Sequence, residues 1–259
     1  MASPSTRRRH RPASRPRRRV RAIGLGALGA LLGVVFFFLI WAHTPYRADR
    51  GATLEVFRSS DIVVETVDEG ILMHRATDTD DPSVGLIFIP GARVDPYAYL
   101  FQLSGAVEQH GLTVLITKPT LNLAFFDTRT VDDFTSAAPS IERWFIGGHS
   151  LGGVRACLMA PDSAVDGLVL FGSYCANDVS DSRLHVLSIA GENDLLSDLD
   201  TITAAAPRLP ADAEFVVIEG ANHAAFGDYG PQAGDGERTI SSEQMRDELA
   251  VLLGTLLRL

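Results

Sequence analysis

The sequence predicts an α/β domain with a mostly parallel central sheet and helices on both faces, preceded by one transmembrane helix. Short apolar runs alternate with helix-like stretches along most of the chain, which is typical of parallel strands covered on both faces. An uncharged run, residues 22–42, lies near the N-terminus. Hydrophobic residues make up 46% of the 259-residue chain, which excludes a wholly disordered protein.

The N-terminal segment divides into a basic tail, residues 1–21, and an anchor, residues 22–42. The tail contains nine arginines and no acidic residue. As a helix, the 21 residues of the anchor would be about 31 Å long, which matches a hydrocarbon core of about 30 Å. Because arginine-rich flanks stay in the cytoplasm, we expect a single pass through the cell membrane, with the N-terminus cytoplasmic and the rest of the chain outside.

Two other interpretations of the apolar run stay open. A cleaved signal peptide has a shorter apolar region, of about 7–15 residues, and ends in a small-x-small cleavage site that Ile40–Thr44 lacks. The paired arginines match a twin-arginine export signal poorly. The run would also suit a buried core helix. We expect the uncleaved anchor.

The remainder of the chain is strongly acidic. Beyond residue 21 it holds 14 basic against 32 acidic side chains. Binding to nucleic acid in general needs a basic footprint, so we expect no nucleic-acid partner. The two cysteines exclude a disulfide-framework fold and a four-cysteine zinc site.

After a linker, residues 43–51, the elements of a domain over residues 52–259 follow in order. Three short β-type runs come first, the last two joined by a hairpin turn at residues 68–70: Leu54–Phe57, Ile62–Val67 and Ile71–His74. The buried strands that follow are Val84–Ile89, Leu112–Thr117, Trp144–Ile146, Leu168–Phe171, Val186–Ala190 and Phe215–Ile218. The helix-like stretches are Pro96–His110, Val131–Ala138, Leu151–Met159, Leu196–Ala205 and Ser241–Leu257, the last opened by a capping box of Ser241 and Gln244.

One motif carries most of the functional information. The strand Trp144–Ile146 leads into Gly148-His149-Ser150-Leu151-Gly152, and a helix follows. This is the G-x-S-x-G pattern between a strand and a helix, where a sharp turn exposes the serine at the carboxyl edge of the sheet. Side chains at the two glycines would clash in that turn. The turn also directs the amide of Leu151 and the positive helix end toward the serine.

A nucleophilic serine needs a base, and the base needs an acid that orients it. His223 follows the last predicted strand and emerges at the same sheet edge as Ser150, so we expect it to be the base, with His149 as a structural neighbour. Asp194 follows the strand Val186–Ala190 and gives the chain order Ser, Asp, His. Its rivals are Glu192 and Asp178.

An oxyanion hole needs a second backbone donor beside Leu151. The strand Val84–Ile89 ends in a loop, residues 90–95, that offers the amide of Ala92 or else of Arg93. The Arg93 side chain is a candidate anion-binding group for substrate, with an ion pair to Asp95 as the alternative.

At these residues the chain resembles the α/β-hydrolase superfamily, and more narrowly the lidless "α/β-hydrolase fold-5" group, a neighbour of the dienelactone hydrolases. The resemblance covers about Leu54 to Leu257, and it rests on residues 90–96, 148–153, 191–194 and 222–230. It implies Ser150 as nucleophile, Asp194 as acid, His223 as base, and the amides of Leu151 and Ala92 as the oxyanion hole. Dienelactone hydrolases use a cysteine nucleophile, so the serine favours ordinary ester chemistry over lactones.

Two further features bear on the site. Only residues 172–183 separate the strand Leu168–Phe171 from the next strand, which leaves no room for a cap domain. We therefore expect an open site for small or surface-presented esters.

The two cysteines lie on neighbouring elements. Cys157 is in the helix after Ser150, and Cys175 follows the adjacent strand. They form either a disulfide or two buried free thiols.

The sequence thus predicts a membrane-anchored serine hydrolase, in which Ser150 forms an acyl-enzyme on a carboxylic ester. It implies no metal and no organic cofactor. An acyltransferase with the same triad remains an alternative, because the nucleophile motif is the same whether water or an alcohol accepts the acyl group. A non-catalytic hydrolase-like binding module is the second alternative.

Overall fold

The computed structural model describes residues 16–77 and 84–256. The chain divides into two units, Met1–Trp41 and Ala42–Leu259. The predicted linker, residues 43–51, falls within the second unit. The first fifteen residues of the predicted basic tail lie outside the described residues.

The first unit is described as one helix, α1 (Pro16–Ala42), which begins ahead of the predicted anchor. Proline suits a first helical position because the amide it lacks would have no partner in the helix. Among the described residues, one helix is apolar enough to cross a membrane, over Val20–Ala42 with a mean hydropathy of 2.6. None of the 18-residue apolar window within this span is buried, whereas the core helix of a soluble protein is mostly buried.

The second unit is built on an eight-stranded sheet with the order β1-β2-β4-β3-β5-β6-β7-β8. The strands are β1 (Ile62–Thr66), β2 (Gly70–Arg75), β3 (Val84–Ile89), β4 (Thr113–Thr117), β5 (Arg143–His149), β6 (Gly167–Phe171), β7 (His185–Gly191) and β8 (Glu214–Ile218). β2 pairs antiparallel with β1 and with β4, and every pairing from β4 to β8 is parallel. The predicted mostly parallel sheet is confirmed.

Helices cover both faces of this sheet. They are α2 (Arg50–Arg58), α3 (Leu100–His110), α4 (Val131–Thr135), α5 (Leu151–Met159), α6 (Leu199–Ala205) and α7 (Ser242–Leu256). On one face, Leu103 of α3 and Leu249 of α7 pack with Phe88 and other residues of the sheet. On the other face, Ala156 of α5 packs with Ile146. Each face of the sheet thus has its own hydrophobic core. Apolar residues of the strands contribute to these two cores in turn, because successive strand residues point to opposite faces.

One predicted strand is wrong. Leu54–Phe57 lies inside α2, where the Asp49 carboxylate caps the helix by accepting from the amide of Ala52 at 3.0 Å. Four residues, three of them apolar, fit a short helix as well as a strand. The N-cap and the burial of Val56, which is 3% exposed, favour the helix.

Other local predictions hold, with shifted ends. Val67 and Gly70 exchange two backbone hydrogen bonds, of 3.1 and 3.2 Å, and close the predicted hairpin. Ser241 and Gln244 form the capping box, with two bonds of 3.1 Å between side chain and amide. The predicted helix Pro96–His110 begins as a 3₁₀ turn, Pro96–Tyr99, before α3.

The connection between β6 and β7 contains no helix in its described residues 172–184, in agreement with the predicted absence of a cap. The two cysteines, whose state the sequence left open, form a disulfide between α5 and this connection, with Cα atoms 5.4 Å apart. Asn177 in the same connection donates to the carbonyl oxygen of Cys157 at 3.0 Å. The disulfide therefore ties the helix after Ser150 to the neighbouring strand's loop.

Candidate active site

Ser150 lies in a strained turn between β5 and α5. Its backbone has φ 53° and ψ −126°, a conformation that non-glycine residues rarely adopt. The flanking glycines are required by close backbone approach. A Cβ at Gly152 would lie 2.1 Å from the carbonyl oxygen of Ile89, and one at Gly148 would lie 2.6 Å from the same atom. The clash expected from the sequence is present at both positions.

Neighbouring elements hold the main chain of this turn. The amide of Ser150 donates to the carbonyl oxygen of Phe171 at the end of β6, at 3.0 Å. The hydroxyl of Ser173 donates to the carbonyl oxygen of Ser150 at 2.7 Å. Leu151 is the first residue of α5, so its amide has no acceptor within the helix and lies at the positive end of the helix dipole.

His223 and Asp194 form a buried pair. Nδ1 of His223 is 2.7 Å from Oδ2 of Asp194, and the two residues are 1% and 2% exposed. The other carboxylate oxygen, Oδ1, accepts from the amides of Leu196 at 2.8 Å and Ser197 at 2.7 Å. Both carboxylate oxygens are therefore occupied, and the side chain is held in one orientation toward the imidazole ring.

The two rival acids lie elsewhere in the hydrogen-bond network. Glu192 accepts from the amide of Gly220 at 2.9 Å. Asp178 is exposed and accepts from the amide and hydroxyl of Ser180 at 3.0 and 2.7 Å. Of these three carboxylates, Asp194 is the one hydrogen-bonded to His223.

His223 is placed by a short turn after β8. It begins the 3₁₀ turn His223–Phe226, which Asn222 caps by accepting from the amide of Ala225 at 3.0 Å. The amides of His223 and Ala224 both donate to the Asp235 carboxylate, at 3.1 and 2.9 Å. The register of parallel strands brings this turn to the same edge as Ser150, since β5, β6, β7 and β8 are consecutive neighbours in the sheet.

A tyrosine that the sequence analysis missed joins His149 to the loop after β3. Tyr99 is fully buried, and its hydroxyl accepts from the amide of Gly91 at 2.9 Å and lies 3.0 Å from Nδ1 of His149. Burial raises the pKa of the Tyr99 hydroxyl well above its usual value. The hydroxyl therefore keeps its proton. Tyr99 lies within a predicted helix, and no motif distinguishes it.

His149 packs against the candidate base. The ring centroids of His149 and His223 are 4.4 Å apart. Burial, followed by the proximity of His223, lowers the pKa of His149 well below 6.5. His149 is therefore a neutral ring that packs against His223 and lies 3.0 Å from the Tyr99 hydroxyl.

The loop after β3 presents one available amide. Gly91 donates to Tyr99, Arg93 donates to the carbonyl oxygen of Asn122 at 2.8 Å, and Val94 and Asp95 also have backbone acceptors. Within residues 91–95, the Ala92 amide is the one without a hydrogen-bond acceptor among the described residues. Of the two donors that the sequence offered, Ala92 is thus the one whose N–H is available.

The side chains of Arg93 and Asp95 are engaged with other parts of the loop. The Arg93 guanidinium donates to the carbonyl oxygen of Thr44 at 2.5 Å and lies 5.5 Å from the ring centroid of Tyr46. The Asp95 carboxylate accepts from the amide of Tyr97 at 3.1 Å and so caps the 3₁₀ turn before α3. Within the described residues, no group of three or more His, Cys, Asp or Glu side chains is arranged to hold a metal ion.

Solved structures with the same fold are found at low sequence identity. A predicted CIB-like hydrolase from Thermoplasma acidophilum is 16% identical, with a TM-score of 0.53 over 76% of this chain and 99% of that one. Est1E from Butyrivibrio proteoclasticus is 12% identical, with a TM-score of 0.52 over 77% and 100%. The esterase domain of a Rhodothermus marinus protein is 17% identical, with a TM-score of 0.55 over 76% and 98%. At these identities the likeness shows the fold alone.

No curated protein matches the chain in sequence. The sequence model of the alpha/beta hydrolase family, however, matches residues 85–247, which include the strained turn, the buried acid–histidine pair and most of the sheet. The match extends over more than half of the chain, and the fold is that of the matched family. The chain belongs to the alpha/beta hydrolase family.

Proposed function

We propose that this protein is a membrane-anchored serine hydrolase that cleaves carboxylic esters. The observation that carries the proposal is the buried pair of His223 and Asp194, joined at 2.7 Å, at the sheet edge where Ser150 occupies its strained turn. A pair of this kind is the usual means of keeping an imidazole in the tautomer that accepts a serine proton. One of the similar structures is described as an esterase domain, which is consistent with the substrate class.

The reaction follows from the roles of these side chains. Ser150 Oγ attacks the acyl carbonyl while Nε2 of His223 takes its proton, and Asp194 stabilises the imidazolium through Nδ1. The negative charge on the carbonyl oxygen is received by the amides of Leu151 and Ala92. His223 then protonates the leaving alcohol. In the second half, water gives a proton to His223 and attacks the acyl-enzyme, which releases the carboxylic acid and regenerates Ser150.

The location outside the cytoplasm is part of the proposal. The apolar span Val20–Ala42 and the arginines before it favour a signal anchor whose N-terminus is cytoplasmic. The Cys157–Cys175 disulfide supports the placement of the second unit in an oxidising compartment. Flotation of the full chain with lipid vesicles tests the anchor, and a protein that remains in the soluble fraction would contradict it.

Steady-state kinetics on a small ester test the activity. We expect the full chain to hydrolyse umbelliferyl acetate and the Ser150→Ala variant to lose about a millionfold in kcat. Ser180→Ala is the matched control, because within the described part of the chain that hydroxyl bonds only to the exposed Asp178 carboxylate, and it should keep the wild-type rate. Equal rates for wild type and Ser150→Ala would overturn the proposal.

Arg93 remains a prediction as a group that binds a substrate anion. Because its guanidinium already donates to Thr44, an anion would have to share it.

Addition of acceptor alcohols separates hydrolysis from acyl transfer, since a transferase would form the new ester in place of the free acid.

A further inference from the structure

Residues Ala42–Tyr46, the exit segment, end the candidate membrane span and are hydrogen-bonded to loops beside the candidate site. The carbonyl oxygen of Ala42 accepts from the side-chain amide of Asn122 at 2.9 Å. Tyr46 donates its amide to the carbonyl oxygen of Arg93 at 2.6 Å and accepts from the amide of Asp95 at 2.9 Å. With the Arg93–Thr44 bond, this segment is held at both ends, where the sequence predicted a linker.

The partners of this segment belong to the oxyanion loop and to the loop after β4. The amide of Arg93 donates to the carbonyl oxygen of Asn122, so the two loops are joined to each other as well. Arg93, Leu121 and Asn122 all have positive φ, between 55° and 58°. Strained backbone persists only where surrounding contacts determine it. Ala92, the available oxyanion donor, lies next to this junction.

Chain continuity then limits how far the site can lie from the bilayer. The candidate span ends at Ala42, which is 0% exposed and bonded to Asn122. A single residue of extended chain covers no more than about 3.6 Å. The headgroup region outside each face of the hydrocarbon core is about 5–8 Å thick. Because Ala42 directly follows Trp41 in the chain and is bonded to Asn122, the chain path from the candidate span to the loop that carries Ala92 contains no free linker.

The rim of the site at this edge of the sheet carries exposed apolar side chains. Leu151 directly follows Ser150 and is 43% exposed, and Leu195 directly follows Asp194 and is 66% exposed. Phe125 and Phe126, which are 52% and 49% exposed, lie in the 3₁₀ turn Ala124–Phe126 that packs against α5. Aromatic and aliphatic side chains at the edge of a site are suited to the interfacial region of a bilayer.

We propose that the substrate is an amphiphilic ester that resides in the same membrane as the anchor, with its scissile carbonyl at the level of the headgroups. The span's exit holds the oxyanion loop at the bilayer surface, and the apolar rim contacts the interface. Hydrolysis consumes water and gives an acid and an alcohol, one of which stays in the bilayer. This inference rests on the proposed function and adds the substrate class.

A comparison of hydrolysis within and between vesicles tests it. The full chain is reconstituted in phosphatidylcholine vesicles, and umbelliferyl palmitate is placed either in the same vesicles or in a separate, protein-free population. We expect the palmitate to be cleaved on the order of a hundredfold faster in the same vesicles, because a shared surface raises the effective concentration. Umbelliferyl acetate, which is soluble, measures the intrinsic activity in each sample.

A linker insertion tests the role of the exit segment. A flexible Gly-Ser linker of about 30 residues, with an end-to-end distance of about 30 Å, is inserted between Trp41 and Ala42. It keeps the hydrogen bonds that join Ala42, Thr44 and Tyr46 to the two loops but frees the site from the surface. We expect the rate on palmitate in the same vesicles to fall about tenfold while the rate on acetate is unchanged. The matched control carries the same linker ahead of the first residue and should behave as wild type.

The outcomes separate the two proposals. Acetate turnover with equal palmitate rates in shared and separate vesicles would overturn the membrane substrate and leave the hydrolase intact. An insertion that leaves the palmitate rate unchanged would overturn the role of the exit segment. Turnover of neither ester by the folded chain would overturn the proposed function, and the substrate class with it.

Discussion

Replacement of Asp194 by asparagine tests how the candidate base is oriented. Oδ1 of Asp194 accepts from the amides of Leu196 and Ser197, and Oδ2 lies 2.7 Å from Nδ1 of His223. The two amides need an acceptor, so the asparagine carbonyl oxygen must take the place of Oδ1. Its NH₂ group then faces His223 and donates to Nδ1. The neutral ring is forced to carry its proton on Nε2, where it can no longer accept the proton of Ser150.

The size of the effect follows from this inverted tautomer. We expect kcat on umbelliferyl acetate to fall by about 10⁴, which corresponds to about 5.5 kcal/mol of lost transition-state stabilisation. The fold should be retained, because the hydrogen bonds from the amides of Leu196 and Ser197 are kept and asparagine has nearly the same shape as aspartate. The assay therefore pairs kcat with the midpoint of thermal unfolding, which should change by no more than a few degrees.

Asp178→Asn is the matched control, since this exposed carboxylate accepts hydrogen bonds only from Ser180 among the residues that the structure describes. It should leave kcat within twofold of wild type. Asp194 does not set the tautomer of His223 if folded Asp194→Asn keeps kcat within tenfold of wild type, or if both variants lose activity equally.

Three other perturbations probe the surroundings of the site. Cys157→Ser should lower the free energy of unfolding by about 3 kcal/mol in urea, because the disulfide closes a loop of 18 residues, and reductant should produce the same loss in wild type but none in the variant. For His149, whose pKa is depressed in the native state, the unfolded chain takes up a proton below pH 6.5 that the native chain does not. Stability should therefore fall on acidification by up to about 1.4 kcal/mol per pH unit, and urea titrations of His149→Gln should lack this contribution; parallel pH curves would contradict it. Gly152→Ala should cost about 3 kcal/mol or more, since its Cβ would meet the carbonyl oxygen of Ile89 at 2.1 Å; an unchanged urea midpoint would show that the turn relaxes easily.

The sheet and its helices were largely predictable because their signals are local and periodic. Continuous apolar runs mark β3 to β7, and the hydrogen-bonded turn at Val67 and Gly70 was visible as a polar break. The error at Leu54–Phe57 arose where a run of four residues carries too few periods to separate helix from strand. The N-cap at Asp49 favours the helix at this position, but Asp49 lies outside the apolar run.

The candidate site was predictable only as far as topology goes. Ends of parallel strands meet at one edge, so Ser150, the loop of Asp194 and the turn of His223 could be assigned to a common place. Which carboxylate reaches the histidine depends on the bonds from Leu196 and Ser197, and these depend on side-chain packing that no spacing encodes. The same holds for Tyr99 and for the contact of Asn122 with Ala42, which join residues far apart in the chain.

Fluorophosphonate labelling of the full chain, followed by peptide mapping, tests whether Ser150 is an activated nucleophile. The reagent reacts only with a serine whose proton a base can remove. We predict labelling of wild type and of Ser180→Ala at Ser150 alone, and no labelling of Ser150→Ala. A folded wild-type protein that does not react, or one that is labelled at another serine, would contradict the account.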